Sequence, residues 1–260
     1  MTPGQRTDLV WLLALAAPLA ARLAGEGAGA ALARLLLLAA AIAFVYGWAA
    51  LFARLQKRGL GDGLAGFAMV FVLLLPATSA WGSALVALGF GAVFGREIFG
   101  ARAVLPPALL ALGFAIFAFP GAGFEALGVL DDAPDPRFAL ACLAAAAAIW
   151  AATRALAWQV AAGAALGVFI AAQWLGDYTG WEHLVRGNLA AGVLFLAAAP
   201  ATAVPGRLGQ WLHGVLAGVL IVVIRVAHPD QPDGVVFALL FAALFAPLLH
   251  RACAWRPRRA

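Results

Sequence analysis

The chain has 260 residues, of which 65% are apolar and 11% charged, and its mean hydropathy is +0.97. A protein of this composition cannot bury its apolar surface within one water-soluble globule, so lipid must be its main solvent. The formal charge of +5 does not indicate nucleic-acid binding, because the basic residues stand at the ends of apolar runs and form no basic face interleaved with aromatic residues. The sequence predicts a single membrane domain over residues 1–260 with no nucleic-acid partner.

Apolar runs between charged breaks predict ten transmembrane helices. The runs are 9–24, 33–53, 64–80, 83–95, 103–120, 138–153, 155–175, 187–199, 208–226 and 234–250. Several, notably 83–95 and 187–199, are shorter than the roughly 20 residues that cross a hydrocarbon core of about 30 Å. These short runs indicate tilted or broken helices. The predicted fold class is all-α and polytopic.

The breaks between the predicted helices differ in charge between the two sides of the membrane. Twelve of the seventeen basic residues, but only three of the twelve acidic ones, fall on the side that carries both termini. Cytoplasmic loops carry an excess of lysine and arginine. The sequence therefore predicts that both termini lie in the cytoplasm.

The two halves of the chain resemble each other. The segment Pro76-Ala77-Thr78-Ser79 follows one apolar run, and Pro200-Ala201-Thr202-Ala203 follows another 124 residues later. Each half holds an odd number of predicted helices, so the second copy would be inverted relative to the first, as in many transport proteins. The sequence thus predicts two inverted five-helix repeats, residues 1–120 and 138–252.

The two Pro-Ala-Thr breaks are the first candidate site. Ligands of inverted-repeat proteins usually bind where interrupted helices meet, because unwound backbone there offers unpaired donors and acceptors. The hydroxyls of Thr78, Ser79 and Thr202 stand beside such backbone groups and could hold a polar ligand or an oxyanion. The alternative is that proline and threonine only make tight turns between neighbouring helices.

Charged residues near the ends of the fourth and ninth predicted helices form the second candidate. Arg96 and Glu97 close the fourth helix, Arg225 closes the ninth, and Asp233 stands in the break that follows. Charges at such depth are costly unless they are paired or solvated, so they predict an ion path or a binding site. The alternative is an interfacial ion pair or a snorkelling anchor, such as Glu97 with Arg102 or Arg225 with Asp233.

The sequence contains no phosphate-binding loop, nucleophile elbow, paired-cysteine motif or zinc signature, so no catalytic residue is predicted. The histidines show no metal-ligand spacing. The sequence therefore predicts no metal site, and solvated histidines in loops or at helix ends. These histidines are His183, His213, His228 and His250.

Two segments of the chain resemble one protein family. They are RVAHPDQPDGVVFALLFAALFAPLL at 225–249 and FGAVFGREIFG at 90–100. Both are similar to parts of the D subunit of the Rnf electron-transport complex and of the related B subunit of the sodium-translocating NADH:quinone oxidoreductase. The resemblance covers most of residues 70–252. It implies a ten-helix, flavin-carrying subunit of the bacterial inner membrane, in a complex with other membrane subunits that couples electron transfer to Na⁺ or H⁺ movement.

The chain departs from that family at its flavin attachment. In the family, one FMN is joined through its phosphate to a threonine of a Ser-Gly-Ala-Thr-like motif between the fifth and sixth helices. This chain has no serine or threonine from Ala84 to Ala152. Covalent FMN at the family position is therefore excluded, because no hydroxyl is present to form the ester.

Two functions remain open on this reading. The first is a redox-relay or non-catalytic subunit of an ion-translocating oxidoreductase complex, with a noncovalent flavin, either FMN or riboflavin. The second is a non-redox transporter or assembly scaffold that kept the fold and lost the cofactor. On the first reading, the flavin contacts would be Thr78, Ser79, Thr202, Arg96 and Arg225, and the carboxylates of the cation path would be Glu97 and Asp233.

Overall fold

The computed structural model describes residues 3–77, 79–98, 105–124, 135–175, 179–185, 189–198, 206–228 and 234–254. Within these ranges the regular structure is entirely helical, which confirms the predicted all-α class. The helices form two compact units, residues 1–154 and 155–260.

The described part of the first unit contains six helices. They are α1 (Pro3–Gly25), α2 (Ala28–Gln56), α3 (Leu64–Leu74), α4 (Trp81–Ala92), α5 (Pro107–Ala118) and α6 (Pro136–Ala152). Helix α4 continues into a π-helical turn, Val93–Glu97. The Ile98 amide donates to the Val93 carbonyl across this turn, at 2.9 Å.

The described part of the second unit contains five helices. They are α7 (Trp158–Leu175), α8 (Gly180–Val185), α9 (Leu189–Gly192), α10 (Arg207–Ala227) and α11 (Gly234–Ala254). Helix α9 also continues into a π-helical turn, Val193–Ala197. The Ala198 amide donates to the Val193 carbonyl at 2.8 Å.

A helix lies in each of the ten predicted segments, and α8 is the described helix that the hydropathy pattern did not predict. Among the described helices, five are long and apolar enough to cross a membrane by length and composition. They are Arg6–Gly25, Ala28–Gln56, Trp158–Leu175, Arg207–Ala227 and Gly234–Cys253. The chain is thus a multi-pass membrane protein, whereas the count of ten crossings and the inverted repeat stay predictions.

Helix α3 is shorter than the predicted segment 64–80. It ends at Leu74 because proline disfavours the helical conformation of the residue before it, and Leu75 stands before Pro76 with φ −68° and ψ 138°. All eleven residues of α3 are buried, against α1, α2 and α5. Eleven residues rise only about 16 Å, roughly half of a hydrocarbon core of about 30 Å.

Aromatic rings join α1 to α6 and to α3. Trp11 of α1 and Trp150 of α6 meet edge to face, with ring centroids 4.7 Å apart, and Trp150 is fully buried. Trp11 also covers Gly66 of α3, where a β-carbon would come within 2.7 Å of the indole ring. Helix α6, which the predicted second repeat includes, therefore packs within the first unit.

Glycines bring the backbones of α7 and α10 into direct contact. Gly163 and Gly167 on α7 face Gly214 and Gly218 on α10, and the glycines of each helix are four residues apart. A β-carbon on Gly218 would overlap the Ala164 carbonyl oxygen. Small residues at this spacing let two membrane helices approach closely, and the association then depends on van der Waals packing.

Substitution of one of these glycines tests the close approach. Gly218→Ala is expected to lower the thermal unfolding midpoint in detergent, because the added carbon overlaps the α7 backbone and overpacking costs about 1–3 kcal/mol. Gly47→Ala on α2 is the matched control, since a β-carbon there meets nothing within 4 Å. Alanine is the better helix former by about 1 kcal/mol, so the control should keep or raise the midpoint. Equal midpoints for the two variants would contradict the packing.

Candidate functional site

The charged side chain of Arg34 lies at the broken end of α3. Arg34 belongs to α2 and is only 5% exposed. Its Nη1 donates to the Val72 carbonyl at 2.8 Å and to the Leu75 carbonyl at 3.0 Å. A helix leaves its last carbonyls unpaired, and the negative end of its dipole lies there. Arg34 therefore caps the carboxyl end of α3 with both hydrogen bonds and charge.

Glu26 balances the charge of Arg34. The Arg34 Nε donates to the two Glu26 carboxylate oxygens at 2.8 and 2.9 Å, and the Arg34 Nη2 contacts Glu26 Oε1. Arg22, one helical turn before Glu26, places its Nε 3.4 Å from Oε1 of the same carboxylate. These three nearly buried side chains, Arg22, Glu26 and Arg34, are called the α3 cap below.

Neither hydropathy nor motif spacing predicted the α3 cap. The available signals were Arg22 and Arg34, the charged residues inside the predicted apolar runs 9–24 and 33–53. A charge at that depth requires a partner, but the sequence does not tell which partner. The carbonyls that Arg34 binds are 38 and 41 residues away along the chain.

A second cluster surrounds Glu97, in the π-helical turn that ends α4. Glu97 is 2% exposed. Arg58, which follows α2, pairs with Glu97 Oε2, and Arg96 Nε lies 3.5 Å from Oε1. Gln56 donates to the Glu97 backbone carbonyl at 3.3 Å and accepts from Arg58 Nε at 2.7 Å. These four residues, Gln56, Arg58, Arg96 and Glu97, are called the Glu97 cluster.

The loop between α2 and α3 is shaped to contact this cluster. Gly61 has a φ of +73°, which favours glycine, and a β-carbon there would lie 2.6 Å from a guanidinium nitrogen of Arg96. Lys57, with a φ of 51°, ends α2 immediately before Arg58. Glu97 thus forms ion pairs with Arg58 and Arg96. Arg102, the partner named in the ion-pair alternative, lies outside the described residues.

Arg225 joins two helices of the second unit. Its Nη1 donates to the His183 carbonyl of α8 at 2.8 Å. Helix α8 begins with a capping box, in which the Thr179 amide donates to Glu182 Oε2 at 2.7 Å and the Glu182 amide donates to Thr179 Oγ1 at 3.4 Å. The Thr-x-x-Glu spacing is a sequence signal for this helix that hydropathy alone overlooks.

Two of the histidines are buried, so the prediction of solvated histidines was wrong for them. His183 and His213 are nearly inaccessible, whereas His228 and His250 are exposed. The reason is that His183 and His213 stand on helix faces covered by other helices, which charged breaks in the sequence do not reveal. Within the described ranges, no group of three or more His, Cys, Asp or Glu side chains could hold a metal ion.

The described members of the predicted flavin site are each bonded to another part of the protein. Ser79 Oγ donates to the Gly123 carbonyl at 3.1 Å, Arg96 contacts Glu97, and Arg225 contacts His183. Among the candidates, the structure brings Arg96 and Glu97 together. Thr78, Thr202 and Asp233 lie outside the described residues.

Removal of Arg34 tests the α3 cap. Arg34→Met is expected to lower the free energy of unfolding by about 3–5 kcal/mol, the usual cost of removing one partner of a buried ion pair. The control is Arg54→Met, an exposed arginine in the last turn of the same helix, which should change stability by about 0.5 kcal/mol or less. Denaturant titration in detergent measures both values. A similar loss in both variants would show that Arg34 has no special role.

Comparisons with known proteins show which family the chain resembles. Residues 135–258 match the sequence model of the NQR2, RnfD, RnfE family. The B subunit of the Na(+)-translocating NADH-quinone reductase of Stutzerimonas stutzeri is 30% identical over 80% of this chain and 64% of that protein. The corresponding protein of Pseudomonas paraeruginosa is 30% identical over 78% of this chain and 62% of its own length, and that of Yersinia pestis is 30% identical over 80% and 63%.

The chain spans less than two thirds of the length of these three relatives. The matched residues nevertheless include segments from both of its units. The family match and the relatives agree with the resemblance of segments 90–100 and 225–249. Residues 135–258 of this chain thus match the NQR2, RnfD, RnfE family, and the chain is similar over about four fifths of its length to the B subunits named above.

Proposed function

We propose that the protein is a membrane subunit of an Nqr- or Rnf-type complex, in which it assists electron transfer across the membrane coupled to Na⁺ or H⁺ movement. The relatives are subunits of a reductase that translocates Na⁺. The observation that carries the proposal is the buried carboxylate of Glu97, held in a π-helical turn. Single π-turns within helices are frequent at functional sites.

The Glu97 cluster has the chemistry of an ion path that is closed by protein charges. A carboxylate in a membrane protein's interior attracts cations, and such residues are functional by default. Arg58 and Arg96 both pair with Glu97, and the carboxylates of Asp8 and Asp62 also act on Arg96. A cation that reaches Glu97 must therefore displace an arginine, and Arg58 is the group to move, because its side chain is 33% exposed.

The proposed architecture is ten membrane-crossing helices in two inverted five-helix repeats, in the bacterial inner membrane and with cytoplasmic termini. Support comes from the third helix of each half. Both α3 and the π-extended α9 are short and almost wholly buried, and they precede Pro76 and Pro200. After each of these two helices a backbone carbonyl accepts a hydrogen bond from outside the helix. The Leu75 carbonyl after α3 accepts from Arg34 at 3.0 Å, and the Ala198 carbonyl after α9 accepts from the Ala157 amide at 3.1 Å.

Two further elements belong to the same proposal. A flavin, FMN or riboflavin, is held noncovalently, because residues 84–152 offer no hydroxyl for an ester. Other membrane subunits of the complex are the partners, and Asp233 is the second carboxylate of the path. The competing function is a non-redox transporter or scaffold. The lack of a hydroxyl in residues 84–152 fits this function too, if the protein binds no flavin at all.

A charge-neutral variant of Glu97 tests the ion path. In proteoliposomes of the intact complex, Glu97→Gln is expected to lower cation-coupled turnover about tenfold or more, the effect of about 1.4 kcal/mol in the barrier. Asp135→Asn is the control, since Asp135 caps α6 at the protein surface and asparagine caps equally well. Subunit assembly should be normal in both variants. Unchanged coupling in Glu97→Gln would make Glu97 a structural ion pair.

The absorption spectrum of the purified protein decides between the two functions. Flavin bands at about 370 and 450 nm that leave the protein on acid denaturation are expected, because any flavin here lacks the ester that would retain it. FMN and riboflavin are then told apart by chromatography of the extract. A colourless protein, also within its intact complex, would support the transporter or scaffold instead.

A further inference from the structure

Helix α7 has one packed face and one open face. Gly163 and Gly167 lie on the packed face, in contact with the α10 backbone. Leu166 and Ile170 are exposed, and because they stand four residues apart they share one side of the helix, the open face. Helix α7 carries no ionisable side chain along its length. An apolar face that is open in the folded chain marks a contact with lipid or with another protein, and the proposed function assigns neither to it.

An exposed tryptophan stands at each end of α7. Trp158 is its first residue and is 56% exposed, and Trp174, the residue before its last, is 85% exposed. The two residues are about 24 Å apart along the helix axis. Since an indole reaches several ångströms beyond its Cα, the two rings can lie at the two borders of a hydrocarbon core of about 30 Å. Tryptophan is enriched at both of these borders, where its apolar ring and polar N–H are each in a suitable environment.

Helix α8 adds a second tryptophan at the carboxyl end of α7. Trp181 of α8 is 69% exposed and meets Phe169 of α7 edge to face, with ring centroids 5.1 Å apart. Gly180 allows this contact, because a β-carbon there would overlap the Phe169 ring. Trp181 therefore lies beside the last two turns of α7, at the end that carries Trp174. An aromatic border formed by two helices is the arrangement expected of a membrane interface.

The border at the amino end of α7 extends onto α10 in the same way. Trp158 meets Trp211 of α10 edge to face, with ring centroids 5.8 Å apart. The first residues of α10, Arg207 and Leu208, are both exposed. An arginine at the edge of a membrane keeps its stem along apolar surface and places its charge among the headgroups. Indole rings and a cation thus stand together where lipid headgroups are expected.

The open face of α7 lacks the features that join membrane helices. Such helices associate through small residues, which let the backbones approach, and through hydrogen bonds between polar side chains. Both glycines of α7, Gly163 and Gly167, are already used against α10. The open face presents the branched side chains of Leu166 and Ile170 instead, and residues 160–172 include no polar side chain. Fluid acyl chains adapt to such a surface, whereas a second helix would be held away from it.

We propose that the open face of α7 is a lipid boundary of the protein, which phospholipid acyl chains cover also in the assembled complex. The headgroups then lie level with Trp158 at one end and with Trp174 and Trp181 at the other. Other membrane subunits dock on other surfaces of the chain. Only this last step rests on the proposed function, because contact with lipid does not require a complex.

A photoreactive amino acid tests the boundary in native membranes. A benzophenone amino acid replaces Leu166 or, in a second variant, Ile170, in the full-length protein produced together with its partner subunits. After irradiation, most adducts are expected to be phospholipids, identified by the mass of the modified peptides. The same amino acid in place of Trp211 is the control. It is similar in size to the indole that packs on Trp158, so its adducts should form within the chain.

The identity of the adduct decides the proposal. Another subunit, or a second copy of this chain, as the main adduct at Leu166 and Ile170 would overturn it. Lipid adducts support the boundary whether or not partner subunits purify with the protein. Absence of those subunits would count against the proposed function alone.

Enlargement of the open face gives a second readout. Leu166→Phe is expected to leave the thermal unfolding midpoint and the subunit composition unchanged, because lipid chains make room for the ring. Gly167→Leu, at the next residue, is the matched control. It should lower the midpoint by at least about 2 °C, because a β-carbon on Gly167 overlaps the Val215 carbonyl of α10. Loss of partner subunits from Leu166→Phe, or a midpoint as low as that of Gly167→Leu, would also overturn the proposal.

Discussion

Backbone carbonyls and amides within a bilayer must find partners in the protein, because lipid offers none. The end of α3 shows this constraint, since the helix stops at Leu74 and all eleven of its residues are buried. Arg34 satisfies two of its terminal carbonyls, and Glu26 neutralises Arg34. The packing of α1, α2 and α3 depends on this cap. An unbroken helix would satisfy these carbonyls through its own backbone hydrogen bonds and would need no buried ion pair there.

The same constraint explains why the chemistry lies at helix ends. Breaks and π-helical turns release backbone groups and allow charged side chains to be held at depth, as at Glu97. Regular helices elsewhere are joined by close apolar packing, and the glycines of α7 and α10 are the clearest case. The protein thus combines closely packed helix pairs with a few helix ends that hold buried charged side chains. These helix ends are the places where an ion or a proton can act.

Hydropathy was sufficient to predict every described helix except α8, because length and hydropathy decide which segments enter lipid. Proline chemistry also accounts for the early end of α3, and the Thr179–Glu182 box for the start of α8. The partners could not be predicted. Arg34 binds carbonyls some forty residues away, and Glu97 pairs with Arg58 from another loop. The burial of His213 depends on which face of α10 is covered, which hydropathy does not specify.

A double-mutant cycle on Arg34 and Glu26 tests the central claim most directly. The free energy of unfolding is measured for Arg34→Met, Glu26→Gln and the double variant, each relative to the wild type. If the two side chains form one buried unit, the loss in the double variant is smaller than the sum of the single losses by about 1–3 kcal/mol. Losses that add to within about 0.5 kcal/mol would mean that the end of α3 is stabilised in another way.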